Sequence, residues 1–313
     1  MTPEVSVVIA AYNAARFIDE TLNSVETQDH RSFEIIVVDD GSTDGTGEIV
    51  TSRHPGVRCL RIPNSGQPAA RNTGIRAARG AYVAFLDADD RWLPGKLVRQ
   101  MALVRERGVA WVYGDAITVS AAGSVLGRMG RRRPLQEGDI LRPLLLTNFI
   151  PSVTPLVRRD VFETVGGFDE RPGMSLSEDW NMWLRVAGRF EAACIRDVLG
   201  VQVEHPQSMT ATSDRMANLE PELAIVEATL AAHGGRVADL ASRARQQVYY
   251  RAALRLLATG DRLRARTAIG RGLGHAVSGG ALALMAATYV PAPVARAAHR
   301  VVRRMHARQA GSR

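Results

Sequence analysis

Short apolar runs alternate with polar, helix-spaced stretches through the first third of the chain. Residues 5–10 (VSVVIA), 34–38 (EIIVV), 57–62 (VRCLRI) and 81–86 (AYVAFL) are each bounded by polar or turn residues. Runs apolar at nearly every position suit strands buried on both faces, as in parallel sheets. Between them Phe17, Ile18, Leu22 and Val25 recur at helical spacing, and a second helix is expected from Asn64–Ser65 through Arg79 to a stop at Gly80. The alternation predicts an α/β fold with an open, mostly parallel central sheet flanked by helices and joined by right-handed crossovers. Ligands of such sheets bind beyond the carboxyl ends of the strands. That rule gathers Ala10–Asn13, Asp39–Asp44 and Asp87–Asp90 along one crevice.

Beyond Pro94, Leu97, Met101 and Val104 predict a helix leading to a strand at 109–113. The pattern loosens from about residue 130. Order returns at SEDWNMWLRVA, where Trp180, Trp183, Leu184 and Ala187 form an apolar helical stripe with Glu178 and Asp179 in its first turn. VLGVQVE (198–204) reads as a strand, and 215–273 as Arg/Ala-rich helix with a break at Ala258–Asp261. Residues 276–295 carry no charge and are long enough to raise a membrane span. Gly279-Gly280, Pro291 and Pro293 argue instead for a docked or interfacial helix.

Composition narrows the class. A hydrophobic content of 46% in 313 residues supports a packed core and argues against disorder. The net charge of +8 is unevenly spread: residues 231–313 hold fifteen arginines against Asp239 and Asp261, a balance of +13, leaving −5 for residues 1–230. A basic tail suits anionic lipid, nucleic acid or a partner protein, or is a solvated face. Zinc spacings and aromatic RNA-binding signatures are absent from the sequence, which argues against nucleic acid. Cys59 and Cys194 have no metal spacing, and buried thiols are expected. MTPEVSVVIAAYN has neither a basic n-region nor a cleavage-like site, so a cytoplasmic location is expected.

The acids of the crevice raise the question of chemistry. On a strand Asp87 and Asp89 would share a face and could contact one divalent cation with oxygen ligands. Alternatively Asp89 or Asp90 caps the helix announced by Pro94. DDGSTD could be no more than an Asx turn with capping. GTGEIV lacks a complete G-x-G-x-x-G fingerprint, which counts against a dinucleotide oxidoreductase.

Four segments in order, VVIAAYNAARFIDETLNSV, EIIVVDDGSTDGT, NSGQPAARNTGIRAARGAYVAFLDADD and SEDWNMWLRVA, together strongly resemble the family 2 glycosyltransferases of the GT-A fold. The likeness covers about residues 4–210. It implies a glycosyltransferase domain over 1–212, its nucleotide-sugar half 1–115 and acceptor half 116–212, followed by a basic helical extension over 213–313. It also implies a UDP-, GDP- or dTDP-sugar donor. By the same likeness Ala10, Tyr12 and Asn13 border the base and ribose, Asp39 bonds the base, and Arg71 and Ala88 lie nearby. Asp87 would face the nucleoside, and Asp89 would ligate Mn²⁺ or Mg²⁺ on the diphosphate, whose leaving-group charge needs a Lewis acid.

Asp179 would then be the general base on an acceptor hydroxyl, with Glu178 beside it, and single displacement would invert the anomeric carbon. The helix dipole alone could also account for acids there. His205 would be a further metal or diphosphate contact, although Glu204 stands where relatives often have an arginine motif; a plain surface histidine is the alternative. The Q-x-x-R-W motif of processive synthases is missing from the sequence, which favours one transfer per encounter to a glycan or polyprenyl-linked acceptor. Acceptor choice is expected within 125–176, including Arg131–Arg133 and Pro151–Pro155. The basic tail, through Arg296, Arg300, Arg303, Arg304 and Arg308, would meet an anionic inner membrane surface, a homodimer interface being the competing use. The rival functions are a GT-A module that binds nucleotide sugar without transfer, and a sugar nucleotidyltransferase. The first would lack the D-x-D or the base, and the second usually carries a glycine-rich basic signature that AAYNAARF is not.

Overall fold

The computed structural model describes residues 2–174, 176–209 and 218–289. Two compact units result: residues 1–141 with 148–212, and residues 142–147 with the chain from 213 onward.

The first unit opens with β1 (Val5–Ala11), α1 (Ile18–Glu26), β2 (Phe33–Asp39), α2 (Thr46–Arg53), β3 (Arg58–Arg61), α3 (Gln67–Ala77) and β4 (Tyr82–Asp87). It continues through β5 (Arg91–Trp92), α4 (Lys96–Arg107), β6 (Trp111–Ser120), β7 (Val125–Arg128) and α5 (Met129–Arg132). After α6 (Leu141–Leu146) come β8 (Leu156–Arg158), α7 (Val161–Val165), α8 (Glu178–Ala187) and β9 (Ala192–Glu204). The nine strands form one sheet in the order β3-β2-β1-β4-β8-β6-β9-β5, with β7 paired to β6. β3, β2, β1 and β4 run parallel, in keeping with the continuous apolar character of β1, β2 and β4. β8 joins β4 and β6 antiparallel, and β9 runs parallel to β6. Val5, Val7, Ile9, Ile35, Val37, Ala84 and Leu86 are buried in the sheet and pack with Ile18, Leu22 and Val25 of α1.

Two helix starts differ from the sequence pattern. α3 begins at Gln67, not at Asn64–Ser65, because the Asp40 carboxylate takes the Ser65 and Gly66 amides at 2.7 and 2.8 Å. Gly66, at φ 89°, then turns the chain into the helix. Neither Asp89 nor Asp90 caps α4: its N-cap is Gly95 at φ 77°, and Pro94 precedes that turn.

The second unit is helical: α9 (Leu219–Val237), α10 (Ala241–Ala258), α11 (Arg262–His275) and α12 (Gly279–Ala287). The expected break falls between α10 and α11, where Asp261 caps the Arg264 amide at 3.1 Å. Ala253, Leu256, Ala265, Ile269, Ala281 and Leu284 form its core. Of the uncharged stretch 276–295, residues 279–287 form the short helix α12. Among the described residues no helix is long and apolar enough to cross a membrane. Arg296, Arg300, Arg303, Arg304 and Arg308 lie outside the described residues.

Candidate functional site

Strand register brings the first acids together. Ala10 pairs with Val38 and Asp87, and Ala11 pairs with Asp39, so three parallel strands end at one level. The loops after them are knitted by side chains. The Asn13 amide donates to Ser42 Oγ at 3.0 Å, and the Thr43 amide donates to Asn13 Oδ1 at 2.9 Å. Asn13 adopts φ 49°, a left-handed conformation that asparagine tolerates better than most residues. Tyr12 beside it is 53% exposed, leaving its ring free to face a ligand.

The acids of DDGSTD take different tasks. Asp44 holds the Ala15 amide and the Thr46 hydroxyl, and Asp40 holds the start of α3, so both are turn-building acids. Asp39 is fully buried. Its Oδ1 accepts from the Ser42 amide at 2.9 Å, while Oδ2 has no hydrogen-bond partner. A Cβ on Gly47 would stand 2.8 Å from that Oδ2, so glycine keeps the space open. A buried carboxylate oxygen left in this state costs free energy that a ligand N–H would recover.

The three acids of FLDADD likewise separate. Asp87 is saturated by protein: Gln67 Nε2 and Arg71 Nη2 donate to Oδ1 at 2.8 and 2.7 Å, and Ser152 Oγ to Oδ2 at 3.1 Å. Asp89 is 30% exposed and its Oδ2 lies 2.9 Å from His205 Nε2. Burial and the neighbouring Asp87 push its carboxyl above the usual range, against the pull of His205. Asp90 is buried and accepts from the Val203 amide at 2.8 Å, tying β9 to this turn and thereby delivering His205. Burial, then Asp89 and Asp87, raise Asp90 well above its ordinary value. A carboxyl turn in which Asp87 disfavours the charge of Asp89, and both disfavour that of Asp90, suits a cation. Among the described residues no three His, Cys, Asp or Glu side chains form a complete metal site. Asp89 and His205, two ligand-type side chains facing one another, could hold a divalent cation only with further oxygens from a ligand or water.

Arg71 links this edge to the second carboxylate pair. Its Nη1 donates to Glu178 Oε1 at 2.7 Å, its Nη2 to Asp87, and the guanidinium lies 5.2 Å from the Phe168 ring centroid. Arg71 is 4% exposed, and Asp87 and Glu178 more than offset the burial that opposes its charge. Glu178 Oε2 is buried without a hydrogen-bond partner, and burial pushes its carboxyl up to about 8 despite Arg71. Asp179 is partly exposed; burial raises it, while Arg71 and the Trp180 amide hold it down. Behind the pair, Trp183 stacks on Trp111 at 5.9 Å and packs near Phe85 and Phe168, so the tryptophans of α8 are core. That aromatic block sets α8, and with it Asp179.

Ala10, Tyr12, Asn13, Asp39, Arg71, Asp87, Ala88, Asp89, Glu178, Asp179 and His205 thus all belong to the first unit. Gln67, Asn148 and Ser152, which bond Asp87 or Asp179, were not singled out from sequence. Asn148 and Ser152 both lie within the expected acceptor segment 125–176, Ser152 in its Pro151–Pro155 stretch, but nothing in TNFIPSVTP marks Asn148 individually.

The family described as Glycosyl transferase family 2 matches residues 6–166. The chain belongs to that family. Over 187 residues it is 38% identical to the putative teichuronic acid biosynthesis glycosyltransferase TuaG of Bacillus subtilis, covering 58% of this chain and 71% of that protein. Over 188 residues it is 32% identical to the uncharacterized glycosyltransferase alr2836 of Nostoc, covering 58% of this chain and 56% of that protein. The chain therefore spans little more than half of the latter relative.

Among solved structures, residues 1–349 of S. aureus TarS with UDP-GlcNAc superpose with a TM-score of 0.67 at 20% identity, covering 94% of this chain and 88% of that one. The mannosyltransferase PcManGT of Pyrobaculum calidifontis with GDP-Man and Mn²⁺ gives 0.56 at 21% identity, covering 96% and 87%. These likenesses show the GT-A glycosyltransferase fold.

Proposed function

We propose that this chain is a metal-dependent, inverting glycosyltransferase that moves one sugar from a nucleotide-sugar donor to an acceptor hydroxyl by single displacement. The observation that carries the reading is the Arg71 bridge. One guanidinium joins Asp87, at the donor edge, to Glu178, beside the candidate base Asp179. Residues 1–115 would hold the donor and 116–212 the acceptor. Asp39 Oδ2 would accept an N–H of the base, with Tyr12, Asn13, Ala10 and Ala88 lining the nucleoside. Gln67, Arg71 and Ser152 hold Asp87 in place, where it would face the nucleoside.

Asp89 and His205 would hold Mn²⁺ or Mg²⁺, which when bound neutralises charge growing on the departing diphosphate. Asp179 would take the acceptor's proton as the sugar carbon is attacked on the face opposite the diphosphate. Burial, which pushes the Glu178 carboxyl up to about 8, weakens the tendency to place a second charge beside the candidate base. TarS with UDP-GlcNAc and PcManGT with GDP-Man and Mn²⁺ support a nucleotide-sugar donor and a divalent cation.

A thermal-shift series of UDP-, GDP- and dTDP-sugars with and without Mn²⁺ tests the donor, because a ligand that binds only the folded state raises the melting temperature. Transfer assays on Asp179→Asn and Asp89→Ala test the chemistry, and near-normal turnover in either removes its assigned role. The presence of both Asp87-Ala88-Asp89 and the candidate base Asp179 argues against a binding-only module.

The acceptor is proposed to be a glycan or a polyprenyl-linked intermediate, met at an anionic inner membrane face by the basic C-terminal extension. The basic balance of residues 231–313 supports this, and Arg296, Arg300, Arg303, Arg304 and Arg308 would each gain about 1 kcal/mol near anionic lipid. Flotation with anionic liposomes should separate the full chain from a 1–274 truncation; equal binding defeats the idea and favours a dimer or partner interface.

A further inference from the structure

The Asp179 carboxylate is held from outside its own helix by a side chain of the loop that follows α6. Asn148 Nδ2 donates to Asp179 Oδ2 at 3.0 Å. The other oxygen, Oδ1, accepts from the Trp180 amide at 2.6 Å. Asn148 cannot turn its amide over without loss, because its Oδ1 already accepts from the Ile150 amide at 3.1 Å. That bond decides which end faces the acid: the NH₂, a donor, is presented to Asp179. The backbone carbonyl of Asn148 in turn accepts from Arg133 Nη1, so the residue is fixed at three points. Phe149 and Ile150, 2% and 3% exposed, anchor the same loop in the core.

We propose that Asn148 is the positioning residue for Asp179, aiming its carboxylate at the acceptor hydroxyl and favouring its ionised form. The proposal rests on the reading of Asp179 as the base. A base must be both deprotonated and aimed, and one amide donor serves both needs. The charged groups around Asp179 pull in opposite directions: Arg71 of α3 favours its charge, whereas Asp87 of β4 disfavours it. Glu178 is its neighbour on α8. Asn148 adds a neutral donor, which helps the carboxylate without offering the acceptor a competing charge. Through Arg133, the arginine-rich segment 131–133 is tied to the same point.

The discriminating variant is Asn148→Asp. It keeps an oxygen for the Ile150 amide, and hence the local turn, but replaces the donor to Asp179 by an acceptor. Asn148→Ala removes both. In each, kcat should fall about 10- to 100-fold with the donor KM nearly unchanged. The acid limb of the kcat–pH profile should move to higher pH, further for Asn148→Asp. Nucleoside diphosphate affinity with Mn²⁺ should stay at the parent value.

Parent-like kcat and an unmoved acid limb in both variants overturn the proposal. So does a loss of donor affinity in step with activity, which marks a general structural role. Asp179→Asn is run alongside. If it is inactive while the Asn148 variants behave as the parent, only this proposal fails. If Asp179→Asn turns over normally, the reading of the base fails and this proposal with it.

Discussion

Across 116 residues of sequence, His205 Nε2 comes to 2.9 Å from Asp89 Oδ2. The meeting is arranged by Asp90, which holds the Val203 amide two residues before the histidine. The ring also lies 4.4 Å from that of Phe17, which packs against it. Removing either Asp89 or His205 should lower Mn²⁺-dependent affinity for a nucleoside diphosphate by about tenfold or more. Titration calorimetry with and without Mn²⁺ checks this, and metal-free binding should be little changed.

Arg71 lies buried between two carboxylates, so its loss should be felt in stability as well as in turnover. Arg71→Met leaves the Asp87 carboxylate without its buried counter-charge and Glu178 Oε1 without its donor, a change worth about 3–5 kcal/mol in buried pairs. The urea midpoint should fall by a matching amount at unchanged m-value.

Glu178 predicts a pH signature. Its carboxyl ionises near 4.5 in the unfolded chain but is pushed up to about 8 when folded. Between those values the folded chain binds more protons, so this group makes stability fall as pH rises. Glu178→Gln is neutral throughout. Its melting temperature should therefore decline less than the parent's between pH 5 and 8, measured by calorimetry.

Lys96 predicts the opposite slope. It is fully buried, its Nζ donates to Gln100 Oε1 at 2.6 Å and lies 3.9 Å from the Trp92 ring centroid. Burial lowers its pKa well below 10.5. From that lowered value up to about 10.5 the unfolded chain binds the extra proton, so stability rises with pH. Lys96→Met keeps the stem but removes this contribution, and the parent's denaturant midpoint should gain on the variant's between pH 7 and 10.

The sheet and its crevice were legible because they follow local rules. Continuous apolar runs marked β1, β2 and β4, and parallel register then placed Asp39 and Asp87 together. Asp87, Asp89 and Asp90 looked alike because a sequence lists acids without their partners. Only the fold shows Asp87 saturated, Asp89 open to solvent and Asp90 bound to β9. Gln67 lies four residues from Arg71 on one helix, so their shared aim at Asp87 is readable once α3 is placed. Asn148 carries no such mark. It meets Asp179 across 31 residues and a stretch without clear periodicity, so that contact depends on tertiary geometry alone.

The short helix α6 carries one more consequence. Residues 142–147 leave the first unit and cluster with the C-terminal helices, where Arg142 pairs with Asp239 and Arg251 donates to the Leu146 carbonyl at 3.1 Å. Within the described residues the polypeptide therefore leaves the first unit at residue 142 and returns to it at 148. A cut at residue 212 would not excise an appendage: it would strip those clamps from the residues running directly into Asn148. The helical extension is thus tied to residues 142–147, and a fragment expected to keep those contacts includes it.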